Sequence, residues 1–140
     1  MVDLSIVVVN LNTKDLTVDS LRSIFKEGSR VKKQVIVVDN GSSDGSVEAL
    51  RRLKKERKIE LIENSGNFGY AKANNQGIKR SKGKYVLLLN NDTLVKKGAL
   101  GVLVDFAKRT PDAGVVGSKL LNIDGTLQPS CFHFPTIGNA

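Results

Sequence analysis

At 140 residues, 40% of them apolar, the chain is long enough for one domain with a hydrophobic core and too apolar for a disordered one. Its net charge of +8 comes without tryptophan and without basic stretches interleaved with stacking aromatics, which argues against nucleic acid as a partner. No apolar run is long enough to span a bilayer, and Cys131, the single cysteine, excludes an internal disulfide and points to a reducing, cytoplasmic setting.

The chain opens directly on strand-like sequence, with no leader pattern. Leu4–Val9 is a continuous, largely β-branched run, the mark of a strand buried on both faces. After the start signal Asn12-Thr13, Leu16, Leu21, Ile24 and Phe25 recur at roughly helical spacing. Gln34–Val38 predicts a second buried strand, closed by Asp39-Asn40-Gly41. Val47, Leu50 and Leu53 stripe a charged helix, and Glu60–Ile62 is a short third strand.

A loop over Asn64–Gly69 then leads into a helix predicted from Tyr70 to Arg80. Tyr85–Leu89 is the most hydrophobic strand, expected to be buried. Leu100, Leu103, Val104 and Ala107 mark an amphipathic helix stopped before Pro111. Val115-Val116 predicts the start of a further strand, and Asp124-Gly125 a hairpin turn. Strands alternating with helices give a three-layer α/β/α fold around a mainly parallel, doubly wound sheet, as a single domain over residues 1–140. Ligands of such sheets bind beyond the carboxyl ends of the strands, where the strand order switches. The residues to read for function are therefore Asn10-Leu11-Asn12, Asp39-Asn40-Gly41 and Asn90-Asn91-Asp92.

Absent motifs narrow the chemistry. Neither G-x-G-x-x-G after the first strand nor G-x-x-x-x-G-K-[ST] is present, which removes the two best-known phosphate cradles. His133 is the only histidine and nothing in the sequence places it beside a nucleophile; between Phe132 and Phe134 it reads as an edge-segment residue. The basic run Arg51, Arg52, Lys54, Lys55, Arg57 and Lys58 lies late in a helix, where cations complement the dipole and face solvent. The alternative for this run is attraction to an anionic membrane surface.

Asp39, at a strand end, is placed to accept hydrogen bonds from a base edge with an imide N–H, or else to cap the turn that follows. For Asp44 the cap is the better reading. Asn90-Asn91-Asp92 offers one carboxylate flanked by amide oxygens, a set suited to a hard cation such as Mg²⁺ or Mn²⁺; the plainer reading is an Asx turn. On the helix from Tyr70, Ala71, Asn74, Asn75 and Ile78 fall near one face, so one asparagine is expected to tie down a loop or a ligand. Lys72 is expected either to meet a phosphate or to be solvated.

Taken together, these residues resemble the family-2 glycosyltransferases of the GT-A fold, especially a rhamnosyltransferase-like branch. The matching segments are Ser5-Ile-Val-Val-Val-Asn-Leu-Asn12, Val37-Val-Asp-Asn-Gly-Ser-Ser-Asp-Gly-Ser46 and Asn64-Ser-Gly-Asn-Phe-Gly-Tyr-Ala-Lys-Ala-Asn-Asn-Gln-Gly-Ile78. Gly83-Lys-Tyr-Val-Leu-Leu-Leu-Asn-Asn-Asp-Thr93, Pro111-Asp-Ala-Gly-Val-Val-Gly117 and Leu127-Gln-Pro-Ser130 complete the series. The resemblance implies transfer of a sugar from a nucleoside diphosphate to a hydroxyl of a glycan or lipid-linked acceptor, with inversion.

It further implies that Val9, Asn10, Leu11, Asn12 and Asp39 hold the nucleoside, with Asp39 on a pyrimidine. Asn67, Gly69, Lys72 and Asn75 would line the donor pocket. Asn90, Asn91 and Asp92 would occupy the D-x-D-like position, with Asp92 as the ligand of the divalent metal. Two departures stand out: Asn90 replaces the first aspartate, leaving one carboxylate, and Leu11 stands where many relatives carry a base-stacking aromatic. Asn90 pulls the donor toward dTDP-rhamnose. The general base is expected beyond Ala140, in an acceptor half, which leaves a non-catalytic nucleotide-sugar-binding module as the alternative. The expected location is the cytoplasm, at the inner face of the membrane, and apolar surface left where an acceptor half would pack makes Phe132, Phe134 and Ile137 candidates for self-association.

Overall fold

A computed structural model of the chain describes residues 1–56 and 58–130. Eight elements follow one another: β1 (Leu4–Asn10), α1 (Lys14–Lys26), β2 (Lys33–Asp39), α2 (Ser46–Lys55), β3 (Glu60–Glu63), α3 (Tyr70–Arg80), β4 (Tyr85–Asn90) and α4 (Ala99–Arg109). The strands form one sheet in the order β3-β2-β1-β4, and each neighbouring pair is parallel. Chain order runs outward from β1 to β3 and then jumps back across β1 to β4. The switch point therefore falls between β1 and β4.

Strand alternation sorts the side chains onto two faces. Leu4, Ile6 and Val8 of β1, Val35 and Val37 of β2, and Leu87 and Leu89 of β4 pack with Leu21 and Ile24 of α1, Leu50 of α2 and Leu100 and Val104 of α4. This is the main core. On the opposite face α3 lies over β1, so tightly that a Cβ on Gly77 would sit 2.3 Å from Val7 Cγ1. The expected three-layer, doubly wound architecture is the one observed.

Three expectations need correction. β4 is an edge strand of the described sheet with alternating burial, not a buried one; Val86 and Leu88 are 43% and 46% exposed on the face that α3 leaves uncovered. Val115-Val116 begins no strand: two apolar residues running into Gly117 find no ladder to join. The packed face of α3 is Ala73, Asn74 and Gly77, whereas Ala71, Asn75 and Ile78 are exposed. Small residues permit the close approach to β1, so the larger apolar residue, Ile78, misled the periodicity.

Elsewhere the elements begin and end close to where they were expected. Asp124-Gly125 does form a tight turn, bracketed by an antiparallel bridge between Leu121 and Leu127. Arg52, Lys54 and Lys55 lie in the last turn of α2, and Arg51, just before it, pairs with Glu63. Cys131, Phe132, His133, Phe134 and Ile137 lie outside the described residues.

Candidate functional site

The strands run one residue further than their apolar cores, so Asn10, Asp39 and Asn90 are the last residues of their ladders. Asn10 faces Asp39 in the register, and Val9 faces Asn90. Alternation then sends Asn10 and Asp39 to the α1 side of the sheet and Val9 and Asn90 to the α3 side. The polar strand ends thus divide into two layers.

The α1-side layer is buried. Asp39 is 0% exposed and accepts four hydrogen bonds: Oδ1 from the backbone N–H groups of Gly41 (3.1 Å) and Ser42 (2.9 Å), Oδ2 from Asn10 Nδ2 (2.6 Å) and the Ser42 hydroxyl (2.7 Å). Those donors fill the acceptor capacity of a carboxylate. Asn10 Nδ2 also donates to Ser42 Oγ at 3.0 Å. The result is a rigid turn after β2, with the base-recognition candidate beneath its surface.

The α3-side layer lines a cleft of about 310 Å³ formed by Val9, Leu11, Thr13, Asn40, Asn67, Gly69, Tyr70 and Asn91. It opens at the switch point between β1 and β4. Asn40, buried, organises its far wall: its Nδ2 donates to Asn67 Oδ1 (3.0 Å), and its Oδ1 accepts from Asn64 Nδ2 (2.9 Å). Gln76 of α3 closes the set through paired amide bonds with Asn64, both 2.9 Å. Gln76, not Asn74 or Asn75, is therefore the α3 amide that ties down the loop; Asn74 donates back to the Tyr70 carbonyl. Gly41 brings its backbone so near Gly66 that a Cβ would lie 2.6 Å from the Gly66 Cα.

Two loops are stitched together beside the cleft. Asn12, at φ +52°, accepts from the Ser43 N–H and donates its own N–H to the Ser42 hydroxyl. Asp44 accepts from the Lys14 N–H (2.9 Å) and from the Ser46 N–H (3.0 Å) and hydroxyl (2.5 Å), so one carboxylate satisfies the first N–H of α1 and of α2. The Ser46 hydroxyl chiefly holds the Asp44 carboxyl below its ordinary range, with the backbone donors helping and slight desolvation opposing. The capping role expected for Asp44 is what the geometry shows, extended to a second helix.

The 90–92 turn is built differently on its two sides. Asn90 Oδ1 accepts from the Tyr70 hydroxyl at 2.9 Å, and the Thr93 hydroxyl donates to the Asn90 carbonyl. Asn91 Nδ2 donates to the hydroxyls of Thr13 (2.5 Å) and Thr17 (3.2 Å). Asp92 is exposed, and no hydrogen bond or ion pair engages its carboxylate among the described residues. Lys72 stands on the exposed side of α3 with its Nζ 4.3 Å from the Phe68 ring centroid, a cation–π contact. Neither Lys72 nor Asn75 lines the cleft.

Sequence reading passed over three contributors. Thr17 is a small hydroxyl inside a helix with no motif to mark it, Ser42 sits in the loop after β2 among other turn residues, and Tyr70 reads in the sequence only as a helix start. Gly41-Ser42-Ser43-Asp44-Gly45 also spells G-x-S-x-G, the pattern of a nucleophile elbow. Here Ser43 Oγ lies 3.5 Å from Asn12 Oδ1, and the segment braces a loop after β2. A second hollow of about 340 Å³ lies between α4 and residues 116–119, away from the strand ends and lined mainly by apolar residues.

Residues 5–130 match the family described as Glycosyl transferase family 2. The chain belongs to glycosyl transferase family 2. It is 31% identical over 105 residues to a poly-β-1,6-N-acetyl-D-glucosamine synthase of Staphylococcus aureus and 30% identical over 105 residues to that of Staphylococcus epidermidis. Each match takes in 75% of this chain and 25% of the relative, so the chain spans about a quarter of these relatives' length.

Among solved structures, a mannosyltransferase from Pyrobaculum calidifontis in complex with GDP-Man and Mn²⁺ is similar at a TM-score of 0.67 and 27% identity, over 74% of this chain and 32% of that one. S. aureus TarS in complex with UDP-GlcNAc superposes with a TM-score of 0.69 at 22% identity, over 78% of this chain and 32% of that one, and shares the fold. The family membership and the GT-A-type α/β fold implied by the sequence motifs are thereby established.

Proposed function

We propose that this family-2 domain binds a nucleoside diphosphate sugar in the cleft at the switch point and presents it for transfer to an acceptor hydroxyl. The observation that carries the reading is the cleft itself. Its lining sets the apolar Val9 and Leu11 beside neutral amides and hydroxyls, with the first turn of α3 opening onto it through Gly69 and Tyr70. That first turn holds no acidic residue, and a helix N-terminus favours a diphosphate. Lys72, two residues after Tyr70 in α3, adds a positive charge to the same end of the helix.

The nucleoside lies, in this proposal, across Val9, Leu11 and Asn12, with Asn10 buried beneath them. Asp39, fully buried, serves this site from beneath by holding, through Asn10 and Ser42, the turn that bounds the nucleoside side, and UDP- and dTDP-sugars are the proposed donors. Asn67 and Gly69 bound the sugar side, Asn90 fixes Tyr70 at the rim, and Asn75 stays outside the cleft. Asp92 and Asn91 Oδ1 suit a hard divalent cation such as Mg²⁺ or Mn²⁺: both are oxygen donors, and no protein partner occupies either among the described residues. One carboxylate makes a weak site alone, and the described residues contain no group of three acidic, histidine or cysteine ligands. The diphosphate oxygens would supply the remaining ligands, and the cation would neutralise charge on the departing diphosphate.

Direct displacement with inversion requires a general base, and no residue lining the cleft carries a carboxylate. We assign that base to protein outside this chain, together with the site for a glycan or lipid-linked acceptor. The basic end of α2 would rest on an anionic membrane face on the cytoplasmic side. Residues 1–140 act as one donor-binding domain in this scheme, and a non-catalytic module serving a separate acceptor half shares all of it except turnover.

Titration with UDP, dTDP and GDP, each with and without Mn²⁺, tests the reading. Saturable binding of a pyrimidine diphosphate, tightened by Mn²⁺ in wild type but not in Asp92→Ala, is expected. Absence of heat and of thermal shift with all three would overturn it. Donor hydrolysis that disappears in Asp92→Ala would decide for the enzyme over the module.

A further inference from the structure

We propose that Asn10, Thr13, Thr17 and Asn91 form a closed hydrogen-bonded ring that transmits the position of Asp39 to the cation-binding turn, with Thr17 as its buried positioning residue. The inference rests on the nucleotide-sugar reading above and goes beyond it by coupling its two halves.

Proton accounting gives the ring a single polarity. Asp39 only accepts, so the Asn10 amide must turn its Nδ2 toward it, at 2.6 Å from Oδ2. Asn10 Oδ1 is thereby aimed at α1, where it accepts from the hydroxyls of Thr13 (2.9 Å) and Thr17 (2.6 Å). Each hydroxyl has one proton and has now spent it. Their lone pairs must accept, and the two hydrogens of Asn91 Nδ2 supply both, at 2.5 and 3.2 Å. A carboxylate at the end of β2 thus dictates which way an amide beyond β4 faces, and leaves Asn91 Oδ1 free of protein partners among the described residues. Flipping either amide would set oxygen against oxygen and cost two hydrogen bonds.

A second observation supports a role beyond helix capping. Thr13 is the N-cap residue of α1, yet its side chain makes no capping bond. A threonine there ordinarily stabilises a helix through that bond. The hydroxyl is instead committed to Asn10 and Asn91, and Asp44 takes over the first N–H of α1. Thr17 and Asn10 are buried, so the ring is shielded from water and holds its geometry.

The consequence is positive coupling: a nucleoside that settles over Val9 and Leu11, above the network that Asp39 anchors, stiffens the turn that holds the cation. The experiment compares UDP affinity in EDTA and in Mn²⁺ for wild type, Thr17→Val, Thr13→Val and Thr17→Ser, with melting temperature as a check on folding. Thr17→Val is expected to bind UDP in EDTA within about twofold of wild type, and both valine variants, whatever the effect of the cleft residue Thr13 on affinity in EDTA, are expected to lose about fivefold or more of the Mn²⁺ enhancement, within the usual range of coupling between sites. Thr17→Ser, which keeps the hydroxyl, is expected to retain the enhancement.

An unchanged enhancement in both valine variants overturns the proposal. A parallel loss with and without metal that serine does not rescue also overturns it, because it marks a packing role. If wild type binds UDP in neither condition, the nucleotide-sugar reading itself falls and takes the ring's proposed role with it. Thr13 is only partly buried, so its variant keeps the test open should Thr17→Val fold poorly.

Discussion

Gly77 sits so close to Val7 that any side chain on it would overlap the valine, and this contact sets the height of α3 above the sheet. Gly77→Ala is expected to destabilise the domain by about 1–2 kcal/mol, the cost of overpacking less the helix propensity gained by alanine. Urea midpoints measure it. Adding Val7→Ala should recover part of the loss, and a strictly additive double mutant would refute direct contact as the cause.

Gly41 and Gly98 both hold positive φ, at +86° and +74°, but only Gly41 faces a neighbouring backbone. Gly98→Ala should cost roughly 1–2 kcal/mol, the conformational penalty alone. Gly41→Ala should cost more and push the Asn64–Gly69 wall outward. Nucleotide affinity is expected to drop by more than about tenfold for Gly41→Ala, about 1.4 kcal/mol, and to stay unchanged for Gly98→Ala. Equal effects on binding would show that the wall does not depend on this contact.

Acid should weaken the fold through Glu27. This buried carboxylate takes Lys33 Nζ at 2.5 Å and the Ser29 hydroxyl at 2.5 Å on Oε1, while its Oε2 has no partner. Burial pushes its carboxyl up, but the hydrogen bonds from Lys33 and Ser29 and the lysine charge outweigh burial and hold it below its ordinary value of 4.5. The sign follows: the stabilisation is fully present above about 4.5 and is lost as pH falls through the lower folded value. Glu27→Gln should flatten this part of the acid limb and lower stability at neutral pH by about 1–3 kcal/mol. An unaltered pH profile in Glu27→Gln would place the acid sensitivity elsewhere.

Asp44 joins two helix starts, so its loss should be felt at both. Asp44→Ala is expected to cost about 1 kcal/mol, modest because the group is exposed, and to speed amide exchange at Lys14 and Ser46 together. Faster exchange at Ser46 alone would mean that the Lys14 N–H finds another acceptor.

The sequence made the order of strands and helices legible because buried parallel strands carry long β-branched runs and the helices carry stripes. Placing polar residues at the strand ends was likewise readable. Their orientation was readable too, although it went unread: counting by twos from Val8 and Val37 sends Asn10 and Asp39 under the sheet, toward α1 rather than into the cleft. The rest depended on distance in space. Nothing in the sequence around Thr17 announces a partner 74 residues away at Asn91, and Gln76 becomes a clamp only because α3 lies low on β1. β4 was mistaken for a buried strand because its apolar composition does not reveal that α3 stops short of it.

β1 lies at the centre of the sheet, yet Leu4 pairs with Tyr85, which the ribosome adds roughly 80 residues later. At about 5–20 residues per second, the strand made first waits roughly 4–16 s for its last neighbour. During that interval the most apolar segment of the nascent chain has one flank unpaired. The time spent on synthesis between Leu4 and Tyr85, rather than the stability of the finished sheet, is then the period in which a chaperone has most to protect.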